Sequence, residues 1–178
     1  MGGVASPARP PYPCGVRDFL EELSRSEYLH VLLNPLPVYG LAVGVMILVV
    51  ALALRNRAAT VTALAVVALT ALSAWPTYSL GQQAYERVNT TVDPSGQEWL
   101  DAHRHRAEKL IWTFYVLAAV AAAGIALPRR WPRTAIPLAV LTLLGASGVL
   151  AAGGWIAYAG GKVRHIEFRR GLPPEPPR

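Results

Sequence analysis

An all-α fold is predicted: a four-transmembrane-helix bundle with a short N-terminal amphipathic helix and Pro-rich tails. Three observations lead there. Apolar residues gather into four charge-free blocks, each close to the ~20 residues a helix needs to cross a ~30 Å hydrocarbon core. Charged residues make up only 16% of the chain, against about 25% in soluble domains. Arginine-rich turn signals, Arg55-Asn56-Arg57 and Arg129-Arg130-Trp131-Pro132-Arg133, separate the blocks in pairs.

The first span, about residues 36–54, carries Gly40-x-x-x-Gly44. Glycines four apart lie on one helix face and admit a neighbouring backbone. The second span covers about 58–78 and should end around Trp75-Pro76, before a loop from Gly81 to Pro94. Ser95-x-x-Glu98 has the form of a capping box. It should start a helix in water that enters the membrane near Leu110 and leaves it near Leu127. The fourth span covers about 134–158. Pro137 falls in its first turn, where no N–H partner is needed, and Gly145, Gly148 and Ala152 give it a small-residue face.

Ahead of the spans, Val16, Phe19, Leu20 and Leu23 recur at helical spacing between charges. They predict an amphipathic helix within 16–33, lying on the membrane surface or against a partner. Asn34-Pro35-Leu36-Pro37 should stop it, since prolines disrupt helices and bias the residue before them away from helical dihedrals. The membrane domain is therefore 16–160, between an extended tail at 1–15 and a basic, proline-rich tail at 161–178. Pro10-x-x-Pro13 and Pro173-x-x-Pro176 read as solvated tail. The N-terminus has no apolar h-region, so the first span is expected to direct insertion. The lone Cys14 excludes an intramolecular disulfide and a four-cysteine metal site.

Net charge is +6, but its placement argues for membrane topology rather than nucleic-acid binding. The two tight turns hold Arg55, Arg57, Arg129, Arg130 and Arg133 with no acidic residue. By the positive-inside rule they should be cytoplasmic, with both termini and the long middle loop periplasmic. The C-tail, richer in basic than acidic residues, opposes this.

All four histidines, His30, His103, His105 and His165, fall on the side of the termini, just outside the apolar blocks. Imidazole is a common metal ligand, so haem is one reading. The other is polar rings at an interface, and it is the one expected here: haem at mid-membrane would want histidines within the spans. Trp75-x-x-Tyr78, Trp112-x-x-Tyr115 and Trp155-x-x-Tyr158 repeat one spacing on the same side. They fit an interfacial aromatic belt, or a groove for a quinone, a pigment or a partner helix.

The stretch His30–Gly40, HVLLNPLPVYG, resembles the opening motif LNHxPxxG of an uncharacterised family of bacterial four-helix membrane proteins. Tyr78–Ala84 is similar to that family's YxTGExA, and His103-x-x-x-Ala107 to its HExxA. The likeness covers roughly residues 28–125. Asn34, Pro37, Gly40, Gly81, Ala84 and His103 match, while Pro35 replaces a histidine and Arg104 a glutamate. The resemblance implies a fold and a bacterial inner-membrane address, and no established activity.

Three function classes follow. A non-catalytic accessory subunit of a larger membrane complex, respiratory or photosynthetic, is the expectation; it contacts the lipid bilayer and neighbouring subunits, with Gly40, Gly44, Gly145 and Gly148 packing either on those subunits or on each other within the bundle, and with no cofactor and no nucleic acid. The alternative is a membrane electron-transfer protein binding haem b or quinone. A small transporter is the third, weakened by the scarcity of polar groups within the spans. No nucleophile stands at a recognisable spacing from a base, so enzyme chemistry is not expected.

Overall fold

A proline at position 76 cannot donate to the carbonyl of Leu72, and the second membrane helix is interrupted just before it by a single turn residue, Ser73, without ending. In the computed structural model, which describes residues 15–171, α4 (Arg57–Leu72) is followed after one turn residue by α5 (Ala74–Asn89). The expected loop from Gly81 is thus helix, and the connection shrinks to residues 90–93.

The first membrane helix shows the same behaviour. α1 (Val16–Glu22) stands apart, but α2 (Ser26–Leu33) does not stop at the two prolines. It joins α3 (Leu41–Ala53) through a π-helical turn, Leu36–Gly40. The expected single amphipathic helix and its proline stop are therefore corrected. Membrane helices tolerate proline where neighbours satisfy the freed carbonyls. Here the hydroxyl of Thr77 lies 3.5 Å from the carbonyl of Leu33, the one Pro37 releases.

α6 (Pro94–Ala126) and α7 (Ala135–Arg164) complete four helices long and apolar enough to cross a membrane. No strand occurs among the described residues. α3 packs on α4, α4 on α6, α6 on α7, and α7 back on α3, closing a ring. Beyond it, at the end carrying the termini, α2 packs on α5. The protein is a helical membrane protein with an all-α four-helix bundle.

Small residues let the ring close. Ala51, Ala63, Ala71, Ala121, Ala139 and Ala146 are buried between helices around Leu41, Leu48, Leu64 and Phe114. A Cβ on Gly40 would lie 2.3 Å from Cγ2 of Thr70, and one on Gly44 2.8 Å from Cγ2 of Val67. The first glycine seam is thus spent inside the bundle, against α4. On α7, a Cβ on Gly145 would meet Leu117 at 3.4 Å, whereas one on Gly148 or Gly154 would meet nothing within 4 Å among the described residues.

The tight turn after α3 keeps its arginines at some conformational cost. Arg55 has φ 51°, a left-handed residue where glycine is usual. Its N–H reaches the carbonyl of Leu52 at 3.1 Å, and that of Asn56 reaches Ala51 at 3.0 Å, a Schellman closure. Asn56 then caps α4, its Oδ1 accepting from the N–H of Ala59 at 3.0 Å.

The capping box expected at Ser95 gives way to a different start. Asp93 holds the N-cap position of α6, and Pro94 follows as its first residue. Asp93 serves Arg169 instead of the helix N–H groups, accepting from Nη1 at 2.6 Å. The same guanidinium donates to the carbonyls of Lys162 and Val163, at 2.7 and 2.6 Å, capping α7. The hydrogen bond from Arg169 holds the Asp93 carboxyl below its usual range. A lowered folded-state pKa adds stability above the ordinary aspartate range and loses it as pH falls through the lowered value. The 90–97 segment should therefore stay protected at neutral pH and open in strong acid. Arg169→Ala should expose it already at neutral pH, read as faster hydrogen exchange after correction for intrinsic rates.

Cys14, the 1–14 stretch and residues 172–178, including both proline motifs, lie outside the described residues.

Candidate paired-histidine site

Two of the four histidines, far apart in sequence, face one another. His30 on α2 and His103 on α6 have ring centroids 6.2 Å apart, their planes turned by 76°. His105, two residues beyond His103 on α6, is turned to the opposite side of that helix, and His165 is exposed, bonded through Nδ1 to Glu167 at 2.9 Å and stacked on Phe168.

Each imidazole of the pair is held by the same local device. Nδ1 of His30 lies 2.8 Å from the carbonyl of Thr77, and a Cβ on Gly81, one helical turn further along α5, would fall 2.8 Å from its Cε1. Nδ1 of His103 lies 2.9 Å from the carbonyl of Ile156, and a Cβ on Gly160, one turn further along α7, would fall 3.0 Å from both Cε1 and Nδ1. A carbonyl beside a glycine notch seats the ring in both cases.

The chemistry of the seat fixes the tautomer. A carbonyl oxygen only accepts, so each Nδ1 carries the proton and donates. The neutral ring then has its lone pair on Nε2, which has no protein hydrogen-bond partner among the described residues. Histidines that bind metals commonly donate the other ring N–H to a carbonyl in this way, which orients the ring and raises its basicity.

The pair borders a cavity of about 750 Å³ between α2, α5, α6 and α7, within the range of small-molecule and cofactor sites. Val38, Tyr78, Ala107 and Ala157 give it apolar walls, and a narrow extension runs below the rings toward Phe114. A polar chain follows one side. Gln82 Nε2 donates to the hydroxyl of Tyr78 at 2.8 Å and to Glu108 at 3.1 Å, and Glu108 accepts from Nε of Arg104 at 2.9 Å.

The tryptophans of the repeated aromatic spacing point outward. Trp75, Trp112 and Trp155 are more than half exposed, as a belt requires. Arg106 lies over the Trp155 ring at 4.2 Å and donates to its carbonyl. Tyr78 instead turns to the cavity, and Tyr158 joins Trp99 around the buried Lys162 ammonium.

Gly160, Thr77 and Ile156 carried no mark in the sequence reading. One signal was available for Gly160: glycine inside a helix costs about 1 kcal/mol against alanine, so its presence there hints at a close approach. Gly81 stood out only through a motif resemblance. Among the described residues no group of three or more His, Cys, Asp or Glu side chains could hold a metal ion. Comparison with protein-family models, with curated proteins and with solved structures finds no match for this chain.

Proposed function

We propose that this chain is a membrane electron-transfer protein that binds a b-type haem between His30 and His103. The paired imidazole seat supports the reading, which departs from the expectation of no cofactor. The ring centroids stand 6.2 Å apart, within the span that one ion with metal–nitrogen bonds of about 2 Å to each ring could bridge. Two protein ligands are few for a bare ion. They suffice for a metalloporphyrin, whose ring supplies the other four, and the adjoining cavity has room for such a ring. Haem, when bound, carries one electron reversibly. The chain's part is to present two oriented neutral imidazoles, exclude water with apolar walls and keep the site near the membrane edge.

The test is a visible spectrum of the full chain, purified in mild detergent from haem-replete cells. A six-coordinate, low-spin spectrum with a sharp reduced α band is expected, lost in His30→Ala and in His103→Ala. A colourless wild-type protein that takes up no added haemin would reject the reading.

We place the chain in the bacterial inner membrane with the site on the periplasmic side, because the acid-free arginines crowd both tight turns. In a Cys14→Ser background, cysteines at Asn56 and Trp131 should resist an impermeant thiol reagent in intact cells, while one at Ser95 reacts. The reverse pattern would turn the topology over.

An accessory role in a larger complex is a second, compatible reading. It is favoured by the outer face of α7, where a Cβ on Gly148 or Gly154 would meet nothing within 4 Å among the described residues.

A further inference from the structure

The cavity beside the histidine pair has a charged mouth as well as an apolar interior. Three arginines border it: Arg25, Arg104 and Arg164. Arg25 is already neutralised by two carboxylates, Glu22 at 2.9 Å and Glu27 at 3.0 Å. Arg164, near the end of α7, makes no ion pair among the described residues and only touches the hydroxyl of Thr91 at 3.3 Å. Arg104, on α6, gives Glu108 a single bond from Nε and rests on Tyr85, and beyond Tyr85 its terminal nitrogens meet no hydrogen-bond partner among the described residues. A guanidinium has five N–H donors, so both residues retain most of their capacity.

The arginines stand on two different walls, above apolar side chains and a metal-competent imidazole pair. That sequence of surfaces matches a ligand with a metal centre, an apolar ring body and acidic arms on one edge. Resting on the haem reading above, we propose that Arg104 and Arg164 receive the two carboxylates of an iron protoporphyrin, so that its acidic edge faces the mouth on the side of the termini. Charge-assisted bonds between guanidinium and carboxylate are the strong class of hydrogen bond and fix orientation as well as affinity. Arg25, spoken for by its own carboxylates, takes no part.

The experiment titrates purified, haem-depleted full-length protein with two ligands, haemin and its dimethyl ester, followed by absorbance. Arg104→Gln/Arg164→Gln should weaken haemin binding at least tenfold and leave the dimethyl ester unchanged. Its bound spectrum should remain bis-imidazole, and Arg25→Gln should bind haemin like the wild type. Equal haemin affinity in the double variant and wild type would overturn the arginine assignment while the haem reading stands. So would an equal loss with the ester or with Arg25→Gln. If the wild type binds neither ligand through His30 and His103, the haem reading itself fails and this assignment with it.

Discussion

Replacing Gly160 with valine should abolish six-coordinate haem binding while leaving the four helices inserted. A Cβ there falls 3.0 Å from two ring atoms of His103, closer than ordinary van der Waals contact. Valine adds branches that α7 cannot move aside, so the imidazole must swing off and lose its bond to the Ile156 carbonyl. Gly81→Val should act alike on His30, where the approach is 2.8 Å. Loss of an outer partner of a metal-binding histidine commonly costs 10–100-fold in affinity, and loss of ring position costs more. The helices themselves gain from the change, because glycine is the poorer helix former. Gly160→Ala is the graded control: it asks the ring to give only a few tenths of an ångström and should weaken binding without removing it. Visible spectra and circular dichroism of the same samples separate the two effects. A low-spin spectrum retained by both valine variants would show that the notches do not position the rings.

The helical class was legible because lipid makes it so. Uncharged runs of membrane-spanning length leave backbone groups no partner except within a helix, and four such runs stand plainly between arginine-rich turns. Helix ends were less legible. Asn34-Pro35-Leu36-Pro37 and Trp75-Pro76 carry the ordinary marks of termination, yet both lie within continuous membrane helices. Neighbouring groups such as the Thr77 hydroxyl stand near a carbonyl freed by proline, and that compensation depends on tertiary packing. Ser95-x-x-Glu98 likewise reads as a capping box, yet Asp93 holds the N-cap position and serves as a partner for Arg169, a residue placed beside it only by the fold.

The histidine pairing was hidden for the same reason. All four histidines shared one side of the membrane, and nothing in their spacing favoured His30 with His103 over His105 or His165. The π-turn adds a second obstacle. Its residues advance less per step than those of an α-helix, so a regular helix drawn through 36–40 would turn His30 by roughly 100°, one residue's rotation, away from its observed direction. A helical wheel drawn from the first span therefore aims this side chain at the wrong neighbour. Gly40 and Gly44 were legible as a close-packing pair, but their partner was not: the sequence left open whether it lay inside the bundle or on another protein.

That question has a measurable answer, since the two glycine seams should respond in opposite ways. Gly44→Leu drives a side chain into Val67, whose Cγ2 would already lie 2.8 Å from the new Cβ. Overpacking of this kind costs about 1–3 kcal/mol, and the α3–α4 contact has little slack because Ala51, Ala63 and Leu64 are buried alongside it. Unfolding in a graded detergent mixture should shift to clearly milder conditions. Gly148→Leu places the same side chain where nothing lies within 4 Å, so bundle stability should be unchanged or slightly raised by the better helix former. Lipid is as apolar as leucine, and helices associate in it through close backbone approach. A partner seated on α7 would therefore be lost with Gly148→Leu although the bundle is intact, and native gels of solubilised membranes would show the chain leaving a larger complex. If instead Gly148→Leu destabilises the isolated chain as much as Gly44→Leu, α7's outer face is not free. If both variants migrate with the wild type in every preparation, the accessory-subunit reading loses its one supporting surface, while the paired imidazoles keep theirs.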